Sequence, residues 1–326
     1  MSEARVLVTG VGGQPGFDLA RRLRQLGATV IGVDADPLAN GLLLDGIEPR
    51  LCPHVEDTHY GPALMKLCGT EAVDAVAPTV EAELPALIEM TAGMYTLGTR
   101  TWLPPSSAVT ACRDKATFAE ALAAAGVAHP ATWLPEQLEG APSDGEFVVK
   151  PRRGQGSRGV LACQGRDRAR AACLLIEDPI VQTRIIGTEF TADCLVGDDG
   201  RAGVVLRWRL LTKGGLSIVT STFTDPDINA LVRATLVTVG IRGWCCVQGF
   251  ATDTGPQITE VNARPAGAFL ASEAAGADLT GQYLAALLGG PIDYDRLTYR
   301  PGVRLTKYVD TLAIVTTTGD RDAHAD

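Results

Sequence analysis

The stretch that most constrains the fold is residues 243–267, GWCCVQGFATDTGPQITEVNARPAG. Two apolar runs flank a turn at residues 253–256, which predicts a β-hairpin. Successive strand side chains point to opposite sides of a sheet, so Glu260, Asn262 and Arg264, at a spacing of two, are predicted to share one face. The polar residues define that face, because the apolar residues do not share one parity: Val247, Ala251, Ile258 and Val261.

This face carries the groups that a hard cation and an anion require. We predict that Gln248, Glu260 and Asn262 are metal ligands, because Mg²⁺ takes carboxylate and amide oxygens. Arg264 adds a forked donor for phosphate or carboxylate. The alternative that this stretch leaves open is a solvated strand face with a buried ion pair.

A second stretch, residues 147–160, predicts an anion-binding turn. A short apolar strand ends at Lys150, and glycines after it let backbone N–H groups approach an anion closely. A flexible hairpin is the alternative. The residues predicted to enclose phosphates are Gly154, Gly156, Ser157 and Gly159.

Together with Lys115 in the segment CRDKATF, these stretches resemble the ATP-grasp superfamily. The similarity is greatest to the synthetase halves of carbamoyl phosphate synthetase and related carboxylate-amine ligases. It implies a fold of α/β and α+β class, in which a doubly wound, Rossmann-like pre-ATP-grasp domain precedes the ATP-grasp domain. The chain corresponds to one synthetase half, so carbamoyl phosphate synthesis itself is not expected.

The resemblance also implies individual roles. Lys115 and Lys150 would reach the nucleotide phosphates, Gln182 and Ile185 would hold the adenine through backbone groups, and Glu189 would bind the ribose. Many relatives carry an acid at the position of Gln182. Backbone contacts survive that change.

Strand and helix patterns and the resemblance together predict the domain organisation. Residues 1–105 form the N-terminal domain, and two consecutive prolines end it. The ATP-grasp domain covers residues 106–290, with a small lid subdomain at about 112–180 and a large subdomain at about 181–290. Residues 291–326 are expected to form a strand pair and a flexible tail.

Two predicted helices begin with charged side chains. Glu81 and Glu83 follow a strand at a sheet edge where ligands bind in open α/β folds, but we interpret them as charges at a helix N-terminus. Lys115 lies early in a single helix predicted over residues 106–126. Without the resemblance, it would be an exposed helix charge.

A strand predicted at residues 204–211 carries Arg207 and Arg209 on one face, and Lys213 follows it. We predict that these cations act in catalysis with Lys150 and Arg264 by binding phosphate or substrate. A solvent-facing basic strand is the alternative.

A glycine turn at residues 10–16 also fits the dinucleotide-binding fingerprint, with Asp34 near the place of a ribose-binding acid. An NAD(P)-dependent oxidoreductase is therefore the alternative function. The sequence contains no Tyr-x-x-x-Lys pair, and NAD binding would leave the stretches around Lys150 and Glu260 without a role. In ATP-grasp proteins, the resemblance implies, this turn serves packing or a second substrate.

Composition restricts the class of protein further. The 326 residues are 46% hydrophobic and 21% charged, which predicts about two globular domains. No apolar run is long enough to span a membrane and no leader segment is apparent, so we expect a cytoplasmic protein without membrane partners. The net charge of -9 argues against nucleic-acid binding. The eight cysteines show no metal or redox spacing, which favours buried free thiols.

The predicted function is a carboxylate-amine ligase, or a carboxylate-thiol ligase. ATP phosphorylates a small carboxylate such as an amino acid, and an amine displaces the phosphate to leave an amide, ADP and phosphate. The expected cofactors are ATP and Mg²⁺, with Mn²⁺ as an alternative metal. The sequence leaves the oligomeric state open, and a homodimer is one candidate because dimers are common among similar ligases. A nucleotide-binding protein without catalysis is disfavoured because the metal ligands and both lysines occur together.

Overall fold

The computed structural model describes residues 4–154 and 159–311, and it begins with a parallel five-stranded sheet within residues 5–101. Its strands are β1 (Arg5–Thr9), β2 (Thr29–Asp34), β3 (Ile47–Leu51), β4 (Ala75–Ala77) and β5 (Arg100–Thr101). They lie in the order β3-β2-β1-β4-β5, with helices α1 (Gln14–Gln25), α2 (Tyr60–Thr70) and α3 (Leu84–Thr96) in the connections. This confirms the doubly wound N-terminal sheet.

Both faces of the parallel sheet are buried, which explains its nearly continuous apolar strands. Val6 of β1 packs in one cluster with Leu19 of α1. The next residue, Leu7, packs in another cluster with Leu64 of α2 and Leu87 of α3. Alternate side chains of one strand therefore hold helices on opposite faces of the sheet.

Two helices, α4 (Ser106–Arg113) and α5 (Lys115–Ala124), replace the single helix predicted over residues 106–126. Asp114 separates them because its backbone is extended and its carboxylate accepts hydrogen bonds from the backbone N–H groups of Ala116 and Thr117, at 3.1 and 3.2 Å. A side chain that caps the following helix ends the preceding one. Lys115 consequently begins α5.

A small antiparallel sheet follows, four-stranded as far as its residues are described. It consists of β6 (Thr132–Trp133), β7 (Glu146–Pro151), β8 (Leu161–Gln164) and β9 (Pro179–Thr183), in the order β6-β9-β7-β8. Helix α6 (Arg166–Cys173) packs on it through a compact cluster around Phe147 and Val149.

The largest sheet is antiparallel and six-stranded within the described part of the chain. In chain order its elements are β10 (Thr188–Val196), β11 (Ala202–Lys213), β12 (Leu216–Phe223), helix α7 (Pro226–Val239), β13 (Gly243–Thr252), β14 (Gly255–Asn262), helices α8 (Leu270–Ala274) and α9 (Leu279–Leu287), and β15 (Arg304–Thr306). The strand order is β14-β13-β10-β11-β12-β15.

The segment after residue 290 differs from the prediction. Its described residues contain one strand, β15, which pairs with β12 at the edge of the six-stranded sheet, rather than a strand pair of its own. An edge strand completes a ladder that is already formed, so it needs no second strand beside it. The predicted flexible tail lies outside the described residues.

A β-bulge explains why the apolar residues of the hairpin share no parity. Gln248 pairs with Glu260, but the next residue of β13, Gly249, pairs with Ile258, so Thr259 is the extra residue. The bulge allows Ile258 and Val261 to enter the same core although they are three residues apart.

The six-stranded sheet is covered on both faces. Helices α4, α5 and α7 pack on one face in a large apolar cluster. The other face contributes Leu195, Val205 and Trp244 to a cluster shared with α1, α9 and the N-terminal sheet. Among the described residues, no helix has both the length and the apolar character needed to cross a membrane. The eight cysteines, all within the described ranges, are free thiols, and seven are buried, in agreement with the prediction.

Candidate active site

A row of polar side chains crosses four strands of the six-stranded sheet. Glu260 of β14 lies opposite Gln248 of β13, which lies opposite Thr191 of β10, which in turn lies opposite Arg207 of β11. Directly paired residues share a face. This face of the six-stranded sheet therefore has two parts. At one end its apolar residues contact the N-terminal sheet, and further along the strands its residues are polar.

The three residues predicted at a spacing of two lie together. The Asn262 amide donates to Glu260 Oε1 at 3.3 Å, and Arg264 Nη2 donates to Asn262 Oδ1 at 3.2 Å. Asn262 is buried, whereas Glu260 and Arg264 are half-buried. The bonds hold one carboxylate, one amide and one guanidinium in a line along the end of β14.

A first cavity, with a volume of about 400 Å³, lies between the two antiparallel sheets. It brings together residues that are distant in sequence, since Lys115, Lys150 and Glu260 all line it. Burial lowers the pKa of Lys150 to about 8, against the opposing effect of Glu260. Burial also lowers the pKa of Lys115, whose ammonium donates to the Gly154 carbonyl at 2.9 Å. Two lysines thus crowd one desolvated space.

The residues predicted to hold adenine and ribose, Gln182, Ile185 and Glu189, also line the first cavity. The buried Gln182 side chain donates to Thr132 Oγ1 at 2.8 Å, and Gln182 lies opposite Thr132 of β6 and Val148 of β7 within the small sheet. Burial raises the pKa of Glu189, and the neighbouring Arg209, at 3.1 Å, opposes that rise. Sequence reasoning did not identify the apolar walls of this cavity, which include Val148, Val160 and Phe250.

Only part of the anion-binding turn predicted at residues 154–159 can be located. Gly154 lines the first cavity. Gly159 has a φ of +68°, a conformation that favours glycine, but it is absent from the described lining. Gly156 and Ser157 lie outside the described residues. The anion-binding role of this turn remains a prediction.

A second cavity, of about 300 Å³, adjoins the first. Arg209, Gln248 and Arg264 line both cavities. The second cavity is closed by the start of α1 and by the loop that follows Arg264, including Gly267. The shared side chains therefore stand between two spaces, one beside the lysines and one beside the N-terminal domain.

Arg207 lines the second cavity as part of a buried network. Its guanidinium forms a two-point ion pair with Asp193, at 2.8 and 3.1 Å, and the Ser272 hydroxyl donates to the same carboxylate at 2.5 Å. Both charged side chains are at most 1% exposed. Among the described residues, nothing accepts a hydrogen bond from Arg207 Nη1, so this nitrogen is available to an anion.

Lys213 does not join the other predicted cations. It lies exposed at the end of β11, and the lining of neither cavity contains it. Arg207 and Arg209 face the site because they lie two residues apart on a regular part of β11, whereas the pairing with β12 becomes irregular beyond Arg209. Lys213 was predicted only to follow that strand, and beyond the irregularity its side chain lies away from the two arginines.

Glu81 corrects the interpretation of an ordinary helix-terminal charge. Its carboxylate accepts a hydrogen bond from the Ala263 backbone N–H at 2.8 Å, and burial raises its pKa. Ala263 lies between the predicted metal ligand Asn262 and Arg264. Glu81 therefore fixes the end of β14 against the N-terminal domain. Nothing in the local sequence indicates this contact, which spans 182 residues.

Asp34, the acid predicted to accompany the glycine turn at residues 10–16, already has hydrogen-bond donors in the protein. Asp34 accepts hydrogen bonds from the backbone N–H groups of Gly12, at 2.7 Å, and Asp36, at 3.1 Å. A Cβ at Gly16 would collide with the Gly10 carbonyl, so the glycines permit close packing of α1. These contacts account for the turn and its acid without NAD, and the oxidoreductase alternative gains no support.

The donor set fits Mg²⁺, which keeps several waters and uses one or two carboxylates together with substrate phosphates. Gln248, Glu260 and Asn262 offer one carboxylate and two amide oxygens on one face. Within the ranges described, no three His, Cys, Asp or Glu side chains cluster as a metal site. These three side chains would hold such an ion together with phosphate oxygens of a bound nucleotide.

Comparison with known proteins gives one sequence match to a family: residues 112–268 match the ATP-grasp domain. No curated protein matches the sequence. The matched segment contains both lysines of the first cavity, the glycine turn and the Glu260 strand. It ends just after the loop that closes the second cavity.

Several solved structures have a similar fold at low sequence identity. A biotin carboxylase β-γ-ATP complex from Campylobacter jejuni is 13% identical, with a TM-score of 0.72 over 89% of this chain and 72% of that one. An L-amino acid ligase from Bacillus licheniformis is 18% identical, with a TM-score of 0.68 over 92% and 78%. An N5-carboxyaminoimidazole synthetase from Staphylococcus aureus complexed with ADP is 17% identical, with a TM-score of 0.70 over 89% and 78%. At these identities the similarity establishes the fold.

Proposed function

We propose that this chain, which has the ATP-grasp fold and an ATP-grasp domain over residues 112–268, is an ATP-dependent ligase that joins a carboxylate to an amine. The observation that carries the proposal is that Gln248 and Arg264 line both the first and the second cavity. A phosphate bound in one cavity and a carboxylate bound in the other would meet at these two side chains. Structural neighbours named as a ligase, a carboxylase and a synthetase support a reaction of this class.

The first cavity would hold ATP. Lys115 and Lys150 are two partly desolvated ammonium groups whose pKa values burial lowers. The Glu260 carboxylate opposes that effect on both lysines, and Glu81 and Asp114 oppose it on Lys115 alone. Phosphate oxygens would supply the missing negative charge. The backbone around Gln182 and Ile185 and the apolar walls would receive the adenine, as an ADP-bound neighbour of the same fold makes reasonable.

Magnesium would be held by Gln248, Glu260 and Asn262 together with the phosphates. When bound, it would neutralise the charge that develops on the transferred phosphoryl group. Arg264, fixed by its hydrogen bond to Asn262, would keep a cation beside that group. Mn²⁺, which also prefers oxygen ligands, is proposed as a substitute.

The second cavity would hold the carboxylate. Arg264 and the free Nη1 of Arg207 are its cationic donors, and Ser217 adds a buried hydroxyl that lacks a partner among the described residues. Two like charges about 4 Å apart cost roughly 1 kcal/mol in water but roughly 4 kcal/mol in a protein site, so donors placed in advance are needed to bring carboxylate and triphosphate together.

The reaction then follows from the placement of the two anions. A carboxylate oxygen attacks the γ-phosphorus, the bond to ADP breaks, and an acyl phosphate forms in the second cavity. The free amine attacks the acyl carbon, loses its proton and expels phosphate. The products are an amide, ADP and phosphate. An amino acid is the proposed carboxylate, because the second cavity is small and one neighbour is an L-amino acid ligase.

The test is phosphate release from ATP by the full chain with Mg²⁺ and a panel of amino acids, offered singly and in pairs. We expect stimulation by specific amino acids and its loss in Glu260→Ala. The matched control is Asp253→Ala, which removes an exposed carboxylate at the turn of the same hairpin. Undiminished turnover in Glu260→Ala would remove the proposed site. The same assay with Mn²⁺, and sedimentation for the proposed homodimer, test the finer expectations.

A further inference from the structure

A third cavity, of about 240 Å³, lies in the N-terminal domain. It is located at the carboxyl ends of β1, β2 and β4, where Thr9, Asp34 and Thr79 line it. The strand order reverses between β1 and β4, and open α/β sheets bind ligands at such a switch point. None of its lining residues lines the first cavity, and of the second cavity's lining it shares Pro15.

Two buried polar atoms in the lining of this cavity lack a protein partner. They are Tyr60 Oη and Glu83 Oε2, and no hydrogen bond to either exists among the described residues. Tyr60 is 3% exposed and Glu83 is 9% exposed. Buried polar side-chain atoms are nearly always hydrogen-bonded, so two such atoms at one cavity indicate a ligand that completes them.

The charge of the lining indicates the sign of that ligand. The described lining contains the carboxylates of Asp34 and Glu83 and the ring of His54, but no lysine or arginine. Both oxygens of Asp34 already accept hydrogen bonds, one from the backbone N–H of Gly12 and one from that of Asp36, so Glu83 Oε2 is the carboxylate oxygen left over. Burial raises the pKa of Glu83 to about 7, the negative charge of Asp34 adds to the rise, and a hydrogen bond with the Thr9 side chain opposes it.

Besides Thr9 and Thr79, the walls are largely apolar and include Val33, Val55 and Val80. The volume is below the range of about 300–1,000 Å³ of pockets that enclose drug-sized ligands. An occupant therefore needs an N–H donor for Glu83, a small apolar body and no negative charge.

We propose that the third cavity binds a small organic ammonium ion. Its N–H groups donate to Glu83 Oε2 and to Tyr60 Oη, and its carbon chain packs on the valines. This site is separate from the nucleotide and carboxylate cavities, so the inference does not depend on the ligase reaction.

The experiment is titration calorimetry of the full chain, without ATP, using n-butylammonium as the probe. n-Butanol and butyrate, of the same length, serve as neutral and anionic probes. We expect saturable binding of n-butylammonium and at least about tenfold weaker binding of both other probes, because a hydrogen bond to a charged group is lost. This comparison needs no variant, so it holds even if a substitution impairs folding.

Variants then locate the site. Glu83→Gln is expected to weaken n-butylammonium binding at least about tenfold and Tyr60→Phe severalfold. Glu89→Gln, at an exposed glutamate of helix α3, which begins directly after Glu83, is the matched control and should bind like the unsubstituted chain. Absence of saturable binding, equal binding of n-butanol, or equal losses in Glu83→Gln and Glu89→Gln would each overturn the proposal. These binding measurements use no ATP. A failure of the ligase proposal would appear in the phosphate-release assay, whereas a failure of this proposal would appear in the binding titrations.

Discussion

The first and third cavities differ in the sign of the charge that the protein leaves unbalanced. Two acids and five basic side chains line the first cavity among the described residues: Lys115, Lys150, Arg184, Arg209 and Arg264. The described lining of the third cavity has two acids, Asp34 and Glu83, and no lysine or arginine. Buried charge is costly unless it is paired. The difference therefore indicates that one cavity is prepared for an anion and the other for a cation.

The Arg207–Asp193 pair is the intermediate case, because the protein balances that charge itself. Asp193 takes two hydrogen bonds from Arg207 and one from Ser272, and neither charged side chain is more than 1% exposed. This pair has no ligand to neutralise it. Removing one of its two charges should therefore destabilise the folded protein. The predictions below begin with this case.

The largest expected effect is on stability. Asp193→Ala leaves the Arg207 guanidinium buried and unpaired, and we expect the free energy of unfolding to fall by about 3–5 kcal/mol. Urea denaturation measures it. In the double variant Asp193→Leu/Arg207→Met no charge remains, so most of the loss should be recovered. A double variant as unstable as Asp193→Ala would show that packing, rather than charge, sets the cost.

The next effect is on turnover. Lys150→Met keeps the length of the buried side chain but removes its charge, and we expect phosphate release to fall by a factor on the order of 10²–10³, as when one oriented donor is removed from an active site. Lys66→Met, at an exposed lysine of α2, is the matched control. If both variants retained full activity, the first cavity would not be the phosphate site.

A third prediction concerns Glu83 and pH. Its pKa is raised in the folded state, to about 7 from 4.5, so its effect on stability is most favourable below pH 4.5 and is lost as pH rises through 7. The total change is about 3 kcal/mol. In Glu83→Gln this contribution should be absent. Urea denaturation of the unsubstituted chain and of Glu83→Gln between pH 4.5 and 7 measures the difference in free energy of unfolding. If the two proteins showed the same pH dependence, Glu83 would not carry a raised pKa.

The smallest effect is the pH dependence of nucleotide binding. Lys150 loses its proton near pH 8, so its attraction for phosphate is present below that pH and is lost above it. We expect ADP affinity, measured calorimetrically without metal, to fall about tenfold per pH unit above 8. Lys150→Arg stays charged and should bind more weakly but without this slope. A slope retained in Lys150→Arg would assign the titration to another group.

Local patterns predicted what depends on local geometry. The spacing of Glu260, Asn262 and Arg264 placed them together because a strand alternates its side chains regardless of its neighbours. Local patterns failed for Lys213, because its position just after the predicted strand gave no sign that the pairing of β11 with β12 becomes irregular before it. Alternation along a strand was not the basis of that prediction, and the reading of the sequence had a second failure at a helix. It also missed the break at Asp114, since a capping side chain interrupts a helix pattern without altering its apolar periodicity.

The residues that sequence reasoning did not find act over long separations. Asp193 and Ser272 are 79 residues apart, and Glu81 and Ala263 are 182 residues apart. An aspartate in an apolar strand gives no sign of the arginine it will meet. The pairing of β10 with β11 brings Asp193 diagonally beside Arg207, and the packing of Ser272 and Glu81 onto the sheet depends on the tertiary fold.

The sequence by itself indicated the ATP-grasp fold through a resemblance of motifs. It also predicted that Glu260, Asn262 and Arg264 share a face, because alternation along a strand depends only on neighbours in the chain. Only the tertiary structure decided which cations share a cavity and which acids are neutralised or left unpaired. Burial and pairing set the energy of a charged group, and both depend on the packing of distant segments.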